Sequence, residues 1–177
     1  TSTDRFPTQD EQFDNYINLL SSNHFDEVTI RTLDIGGDKL ATQGEDEINP
    51  AMGVRGIRYS LANVEMFADQ IEAILRVCNT TKKKIKILLP MISTIEEIIE
   101  ANEIINNINM KYKLNELFEI GVVIETPSAA LITKEISSKV DFISIGTNDL
   151  IQYVLAADRN NKDLRSIWNY YQPSIIK

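Results

Sequence analysis

The stretch Val140 to Arg159, VDFISIGTNDLIQYVLAADR, decides how the rest of the chain is read. It falls into three parts. Asp141 to Ile145 is a short apolar run with one Phe and two Ile, bounded by Gly146, and reads as a buried strand of a parallel sheet. Gly146-Thr147-Asn148-Asp149 is a turn rich in backbone donors and side-chain oxygens. From Asp149 onward, Leu150, Val154, Leu155 and Ala157 recur at roughly helical spacing. A polar tetrad at the mouth of a buried strand is where α/β folds keep their chemistry. A plainer reading competes with it, in which Thr147 or Asn148 simply caps the next helix.

Outward from this unit the same alternation recurs. Residues 9 to about 22 read as a helix with Phe13, Tyr16, Ile17 and Leu20 on one face, broken at Asn23 and His24. Val28 to Leu33 is a β-branched strand ended by Asp34-Ile35-Gly36-Gly37, and a polar loop runs from Asp38 to Pro50. Gly53 to Ile57 is ambiguous, with a very short strand as one reading. Val64, Phe67, Ala68, Ile71, Leu75 and Cys78 form a helical stripe. Lys82 to Lys84 read as a solvated loop, and Ile85 to Leu89 as a buried strand stopped by Pro90. Ser93 with Glu96 makes a capping box for a helix carrying Ile95, Ile98, Ile99 and Ile105. Ile120 to Ile124 is the next strand, closed by Glu125-Thr126-Pro127, and Ser128 to Ser138 is a short helix. Strand and helix in alternation predict parallel βαβ units. Doubly wound sheets and (β/α)₈ barrels both satisfy that pattern.

Composition bounds the function. The 177 residues, 43% hydrophobic, can bury a core and suit one domain. A net charge of -8 disfavours nonspecific binding to nucleic acid or acidic membranes. The single Cys78 excludes an internal disulfide framework and fits a reducing compartment. No apolar run reaches the length of a membrane span, and the polar start TSTDRFPTQDEQ is no signal peptide, so a cytoplasmic protein is expected.

Charged residues gather at the strand ends: Arg31, Arg55 and Arg58, Glu125, and Asp149. In a barrel these would converge on the C-terminal face. Two carboxylates with several arginines describe a site for a magnesium-bridged phosphate. Mg²⁺ takes one or two protein carboxylates plus substrate oxygens and water, and arginine grips phosphate or carboxylate bidentately. Ion pairing among strand-end residues for structural reasons is the alternative.

Longer motifs carry a resemblance. Thr29-Ile30-Arg31-Thr32-Leu33-Asp34-Ile35-Gly36-Gly37-Asp38-Lys39, Asn49-Pro50-Ala51-Met52-Gly53-Val54-Arg55-Gly56-Ile57-Arg58, Leu89-Pro90-Met91, Gly121-Val122-Val123-Ile124-Glu125-Thr126-Pro127 and Gly146-Thr147-Asn148-Asp149-Leu150-Ile151-Gln152-Tyr153, with Asp158-Arg159, stand in order along nearly the whole chain. This set resembles Enzyme I, the phosphoenolpyruvate-protein phosphotransferase family of the bacterial sugar phosphotransferase system, or its paralogue of the nitrogen-related branch. Pyruvate phosphate dikinase and phosphoenolpyruvate synthase share the Glu and Asn-Asp elements.

The resemblance implies a partial phosphoenolpyruvate-binding (β/α)₈ barrel over residues 1–177, roughly strands 2 to 6 of eight. It implies Glu125 and Asp149 as Mg²⁺ ligands, Arg31 and Arg55 as the clamp on the phosphoryl group, and Arg159 and Asn148 at the substrate's carboxylate end. It further implies phosphoryl transfer from phosphoenolpyruvate to a histidine on a separate domain and then to the carrier protein HPr, in a homodimer. No residue here matches the acceptor histidine or the acid cysteine of the family, so no catalytic residue is expected within the chain: His24 is expected at a helix end or on the surface, and Cys78 in the core. The N-terminal phosphohistidine and HPr-binding domains are expected to lie outside these residues. Two other functions remain open at this point. One is an inactive fragment acting only as a binding or assembly module, and the other is a dikinase or synthase relative.

Overall fold

A computed structural model of the chain describes residues 5–21, 27–35, 48–114 and 116–177. His24, Gly36, Gly37 and the loop from Asp38 as far as residue 47 lie outside the described residues. Helix α1 (Gln9–Ser21) precedes strand β1 (Glu27–Arg31). Helices α2 (Ile57–Ala62) and α3 (Val64–Thr81) lead to β2 (Lys84–Leu89), and α4 (Ile95–Asn109) to β3 (Phe118–Ile124). Helices α5 (Pro127–Leu131) and α6 (Thr133–Ser137) lead to β4 (Phe142–Ile145), which is followed by α7 (Thr147–Val154) and α8 (Pro173–Ile176).

The strands form one parallel sheet in the order β1-β2-β3-β4, so each strand lies beside its successor in the chain. A doubly wound sheet reverses its strand order at a switch point. This sheet does not, and its curled course is that of a partial (β/α)₈ barrel.

Alternation along β2 sets the two faces. Ile85, Ile87 and Leu89 are fully buried under the helices, against Phe67, Ile71, Ile74 and Leu75 of α3 and Ile98 and Ile105 of α4. Lys84 and Lys86 point to the other face. There Lys86 Nζ lies 2.6 Å from Glu27 Oε1 and 3.8 Å from Glu119 Oε2, and Lys84 pairs with Glu119. Register puts these charges together at the N-terminal ends of the strands, opposite the end where the site forms. Helix α1 is fastened from outside: Arg76 of α3 reaches Asp10 at 2.6 Å and stacks over the Phe13 ring at 4.4 Å.

Several local expectations are corrected. Gly53 to Ile57 holds no strand; a 3-10 turn at Pro50–Met52 runs through a loop into α2, so the described residues contain four strands where five were expected. The capping box is Thr94 with Glu97, one residue later than expected, with Glu97 N–H donating to Thr94 Oγ1 at 3.3 Å. The helix expected over 128–138 breaks at Ile132 (φ -108°, ψ 23°). Thr133 Oγ1 donates to the carbonyls of Ala129 and Ala130, both at 2.9 Å, the kind of back-bonding that competes with a continuous helix. Lys82 caps α3 in the left-handed region (φ 55°), while Lys83 is half-buried and Lys84 already belongs to β2. Strand β4, expected to be buried, lies at the sheet edge with Ile143 and Ile145 42% and 65% exposed. Cys78 sits fully buried in the core as expected, where burial pushes its thiol up to about 11.

Candidate functional site

The site is assembled where the strands end. Asp34 follows β1, Met91 follows β2, Glu125 follows β3, and Asp149 stands in the first turn of α7 after β4. Arg55 comes from the loop before α2. Its neighbour Gly56 has φ +57°, and a Cβ there would lie 2.7 Å from Met91 Cβ, so only glycine lets this turn close against the end of β2.

Arg55 is the hub. Nε donates to Asp34 Oδ1 at 3.2 Å, and Nη2 donates to Asp34 Oδ1 and Oδ2 at 3.1 and 3.0 Å. Nη1 donates to Asp149 Oδ1 and to the Tyr153 hydroxyl, each at 3.3 Å, and Nη2 reaches Asp149 Oδ2 at 3.4 Å. Tyr153 in turn donates to the carbonyl of Ala51. Burial pulls the guanidinium's pKa down, but the hydrogen bonds and charge of Asp34, with the charge of Asp149, outweigh it and hold the group above its ordinary value. Arg55 therefore stays charged while half-buried, as arginine can.

Two further arginines flank it. Arg31 Nη1 lies 3.5 Å from Asp34 Oδ2, and Arg159 Nη1 lies 3.6 Å from Asp149 Oδ1. Arg31, Arg55 and Arg159 line a cavity of about 780 Å³ together with Asp34, Met52 and Tyr153. That volume suits a small organic ligand. A wall with these guanidinium groups favours an anion with oxygens to share. Glu125 and Asp149, both buried, do not line this cavity. Arg58 lies apart, donating to the Met52 carbonyl and to Ser93 Oγ at 3.0 and 3.2 Å.

Glu125 is 2% exposed. Its Oε1 accepts from the Met91 N–H at 2.7 Å. Burial pushes its carboxyl up to about 7, against the Met91 hydrogen bond, and the negative charges of Asp149 and Asp34 add to the rise. Buried beside other carboxylates, Glu125 keeps its proton more readily than an ordinary glutamate, and a cation bound there would release that proton. Gly146 makes the close approach possible: a Cβ there would stand 2.5 Å from Glu125 Oε2 and 2.7 Å from its Cβ.

The structure thus gathers Arg31, Arg55, Asp149 and Arg159 into one ion-paired group, with Glu125 coupled to it through charge. Asn148 is outside that group. It is exposed, and its Oδ1 accepts from Tyr170 at 3.1 Å. Neither Thr147 nor Asn148 caps α7; the N-cap is Gly146 and no side chain supplies the bond. Sequence reasoning missed the parts played by Asp34 and Tyr153. An acid three residues after Arg31 at a strand end was the available signal for Asp34, because a buried carboxylate needs a cationic partner. Tyr153 offered none.

The family described as PEP-utilising enzyme, PEP-binding domain, matches residues 1–177. The chain belongs to this family. Curated relatives named phosphoenolpyruvate-protein phosphotransferase are similar to it over nearly its whole length. The Listeria monocytogenes protein is 41% identical over 181 residues, covering 98% of this chain and 31% of the relative. The Bacillus subtilis protein is 42% identical over 183 residues, with the same two shares, and the Mycoplasma pneumoniae protein 38% over 178 residues, covering 99% and 31%. The chain spans about a third of the length of the curated relatives it matches.

For a PEP-binding domain the donor chemistry can be tested against a divalent cation. Glu125 and Asp149 offer hard carboxylate oxygens at neighbouring strand ends. Among the described residues no group of three or more His, Cys, Asp and Glu side chains forms a cage. Two such carboxylates fit a hard divalent cation that completes its shell with water and other oxygens. Among the described residues no helix is long and apolar enough to cross a membrane.

Proposed function

We propose that this chain is the phosphoenolpyruvate-binding part of an Enzyme I type phosphoenolpyruvate-protein phosphotransferase. The observation that carries the reading is the convergence of Arg31, Arg55 and Arg159 on one cavity at the strand ends, with Asp149 and Glu125 beside them. Similarity to the three relatives of that name supports the assignment.

In this reading Arg31 and Arg55 clamp the phosphoryl group, while Arg159 and Asn148 hold the carboxylate end of the substrate. Glu125 and Asp149 would hold Mg²⁺, which would supply positive charge against the negative charge of the phosphoryl group and the leaving fragment. When the P–O bond of phosphoenolpyruvate breaks, the electron pair stays with an enolate, which a proton converts to pyruvate. Fixed guanidinium groups stabilise charge on both fragments without reorganising. The phosphoryl group passes to a histidine on another domain of the same protein and then to HPr. The protein acts as a homodimer in the cytoplasm, in either the sugar or the nitrogen-related branch of the phosphotransferase system.

Calorimetric titration of phosphoenolpyruvate into the chain, with and without Mg²⁺, tests the reading. We expect Mg²⁺-dependent binding that is lost in Glu125→Ala and Arg55→Ala. Equal binding by wild type and both variants, or none by a folded wild-type chain, would remove the assignment.

A further inference from the structure

The most unusual feature of the site is that one guanidinium is shared by two carboxylates. Asp149 already supplies Arg55 with an anionic partner, yet Asp34, with its side chain 7% exposed, takes three more of its hydrogen bonds. A second carboxylate beside an anion-binding arginine lowers the potential the anion feels, so charge balance alone is a poor reason for it. Geometry is a better one. An arginine at the end of a rotamer-rich side chain needs a fixed partner to present its fork in one direction. The stretch of backbone leading to Asp34 is held in place. The Thr32 N–H donates to the Leu88 carbonyl at 3.0 Å, and the Leu33 N–H donates to Gln70 Oε1 of α3 at 3.1 Å. Gln70 Nε2 donates in turn to the Tyr16 hydroxyl of α1 at 3.2 Å.

We propose that Asp34 is a positioning residue. Its carboxylate grips the Nε and Nη2 side of Arg55 and leaves the Nη1–Nη2 edge presented to Asp149, with Nη1 also on Tyr153. Through Oδ2 it also reaches Arg31 at 3.5 Å, so a single buried carboxylate aligns both arginines on one side of the cavity. The part that names phosphoenolpyruvate as the aligned ligand rests on the function proposed above; the grip itself does not.

The test has two arms. Nitrogen-15 NMR of the full chain reads solvent exchange at the Arg55 Nε–H, a signal assigned by its loss in Arg55→Lys. That proton should exchange at least ~10-fold more slowly than the one on half-exposed Arg159, and Asp34→Asn should abolish the difference. Calorimetry then compares phosphoenolpyruvate with inorganic phosphate, both with Mg²⁺. Asp34→Asn removes the charge, and Asp34→Glu keeps it but shifts the grip. Positioning predicts that each weakens phosphoenolpyruvate by about 10- to 100-fold and inorganic phosphate by clearly less. A pure charge effect predicts tighter binding of both anions to Asp34→Asn and no change in Asp34→Glu, and that result overturns the proposal. Should the variants not fold, wild-type exchange at Arg55 as fast as at Arg159 overturns it as well. A wild-type chain that protects the Arg55 Nε–H but binds no phosphoenolpyruvate keeps the grip and removes the ligand assignment instead.

Discussion

Glu125 makes the stability of this fold depend on pH in a direction opposite to that of most carboxylates. Its ordinary value is 4.5 and the folded chain raises it to about 7, through burial first and the nearby charges of Asp149 and Asp34 after it. Between those two values the native state holds a proton that the unfolded chain has released. The slope of unfolding free energy with pH is therefore negative in this window. The contribution is complete below about 4.5 and lost as pH rises through about 7. At about 1.4 kcal/mol per pH unit, the whole window is worth about 3 kcal/mol, a large share of the stability of an ordinary domain. Exposed or half-exposed Glu11, Glu72 and Glu119, whose carboxyls are held below the usual range by Arg5, Lys111 and Lys84, act in the opposite sense but at lower pH. The Glu11 carboxyl, held down to about 2 by its hydrogen bonds with Arg5 and Thr8, illustrates the separation.

The assay is urea unfolding of the wild type and Glu125→Gln, followed by circular dichroism between pH ~5 and ~8 without divalent cation. Subtracting the variant's curve cancels the titrating groups that do not interact with Glu125. The difference should favour the wild type less and less as pH rises, by about 3 kcal/mol over the range. Under the function proposed above, saturating Mg²⁺ flattens that difference, because a bound cation stabilises the carboxylate and not the acid. Parallel curves for the two proteins, or a difference that grows in favour of wild type with rising pH, would refute the burial argument.

Two further outcomes are expected. Gly146→Ala places a Cβ within 2.7 Å of Glu125 Oε2, Glu125 Cβ and Val123 Cγ1, so we expect a loss of about 1–3 kcal/mol in urea unfolding and weaker Mg²⁺-dependent phosphoenolpyruvate binding by calorimetry. Thr94→Ala removes the side-chain half of the α4 capping box and should cost about 1 kcal/mol by the same unfolding assay while leaving ligand binding unchanged.

What was legible in the sequence depended on range. The β-branched runs at Val28, Ile85 and Ile120 marked strands because each is flanked by charge, Pro or Gly. Barrel and doubly wound sheet could not be told apart there, because both place one helix between parallel strands; only the neighbour order β1-β2-β3-β4 separates them. The capping box shows the same limit at short range. Ser93 and Thr94 both have a Glu three residues on, and tertiary contacts choose between them. Ser93 Oγ accepts from Arg58 at 3.2 Å and its carbonyl accepts from Ser128 at 2.6 Å, which leaves Thr94 to cap.

The site was legible in its charges and illegible in their pairing. Arg31, Glu125 and Asp149 announced themselves as ionisable groups at apolar strand ends, and Arg55 as one in a Gly-flanked loop, but which carboxylate holds which arginine is decided across more than ninety residues of chain, as the Arg55–Asp149 bond is. That pairing has a consequence for binding order. Asp149 engages both Arg55 and Arg159, so an anion arriving alone must compete with a buried carboxylate for two guanidinium groups. A cation drawn to Asp149 and Glu125 weakens that competition by taking up the carboxylate's charge. Under the function proposed above, cation and anion each lower the cost of admitting the other, and the affinity of the chain for phosphoenolpyruvate should rise with Mg²⁺ by the same factor as its affinity for Mg²⁺ rises with phosphoenolpyruvate.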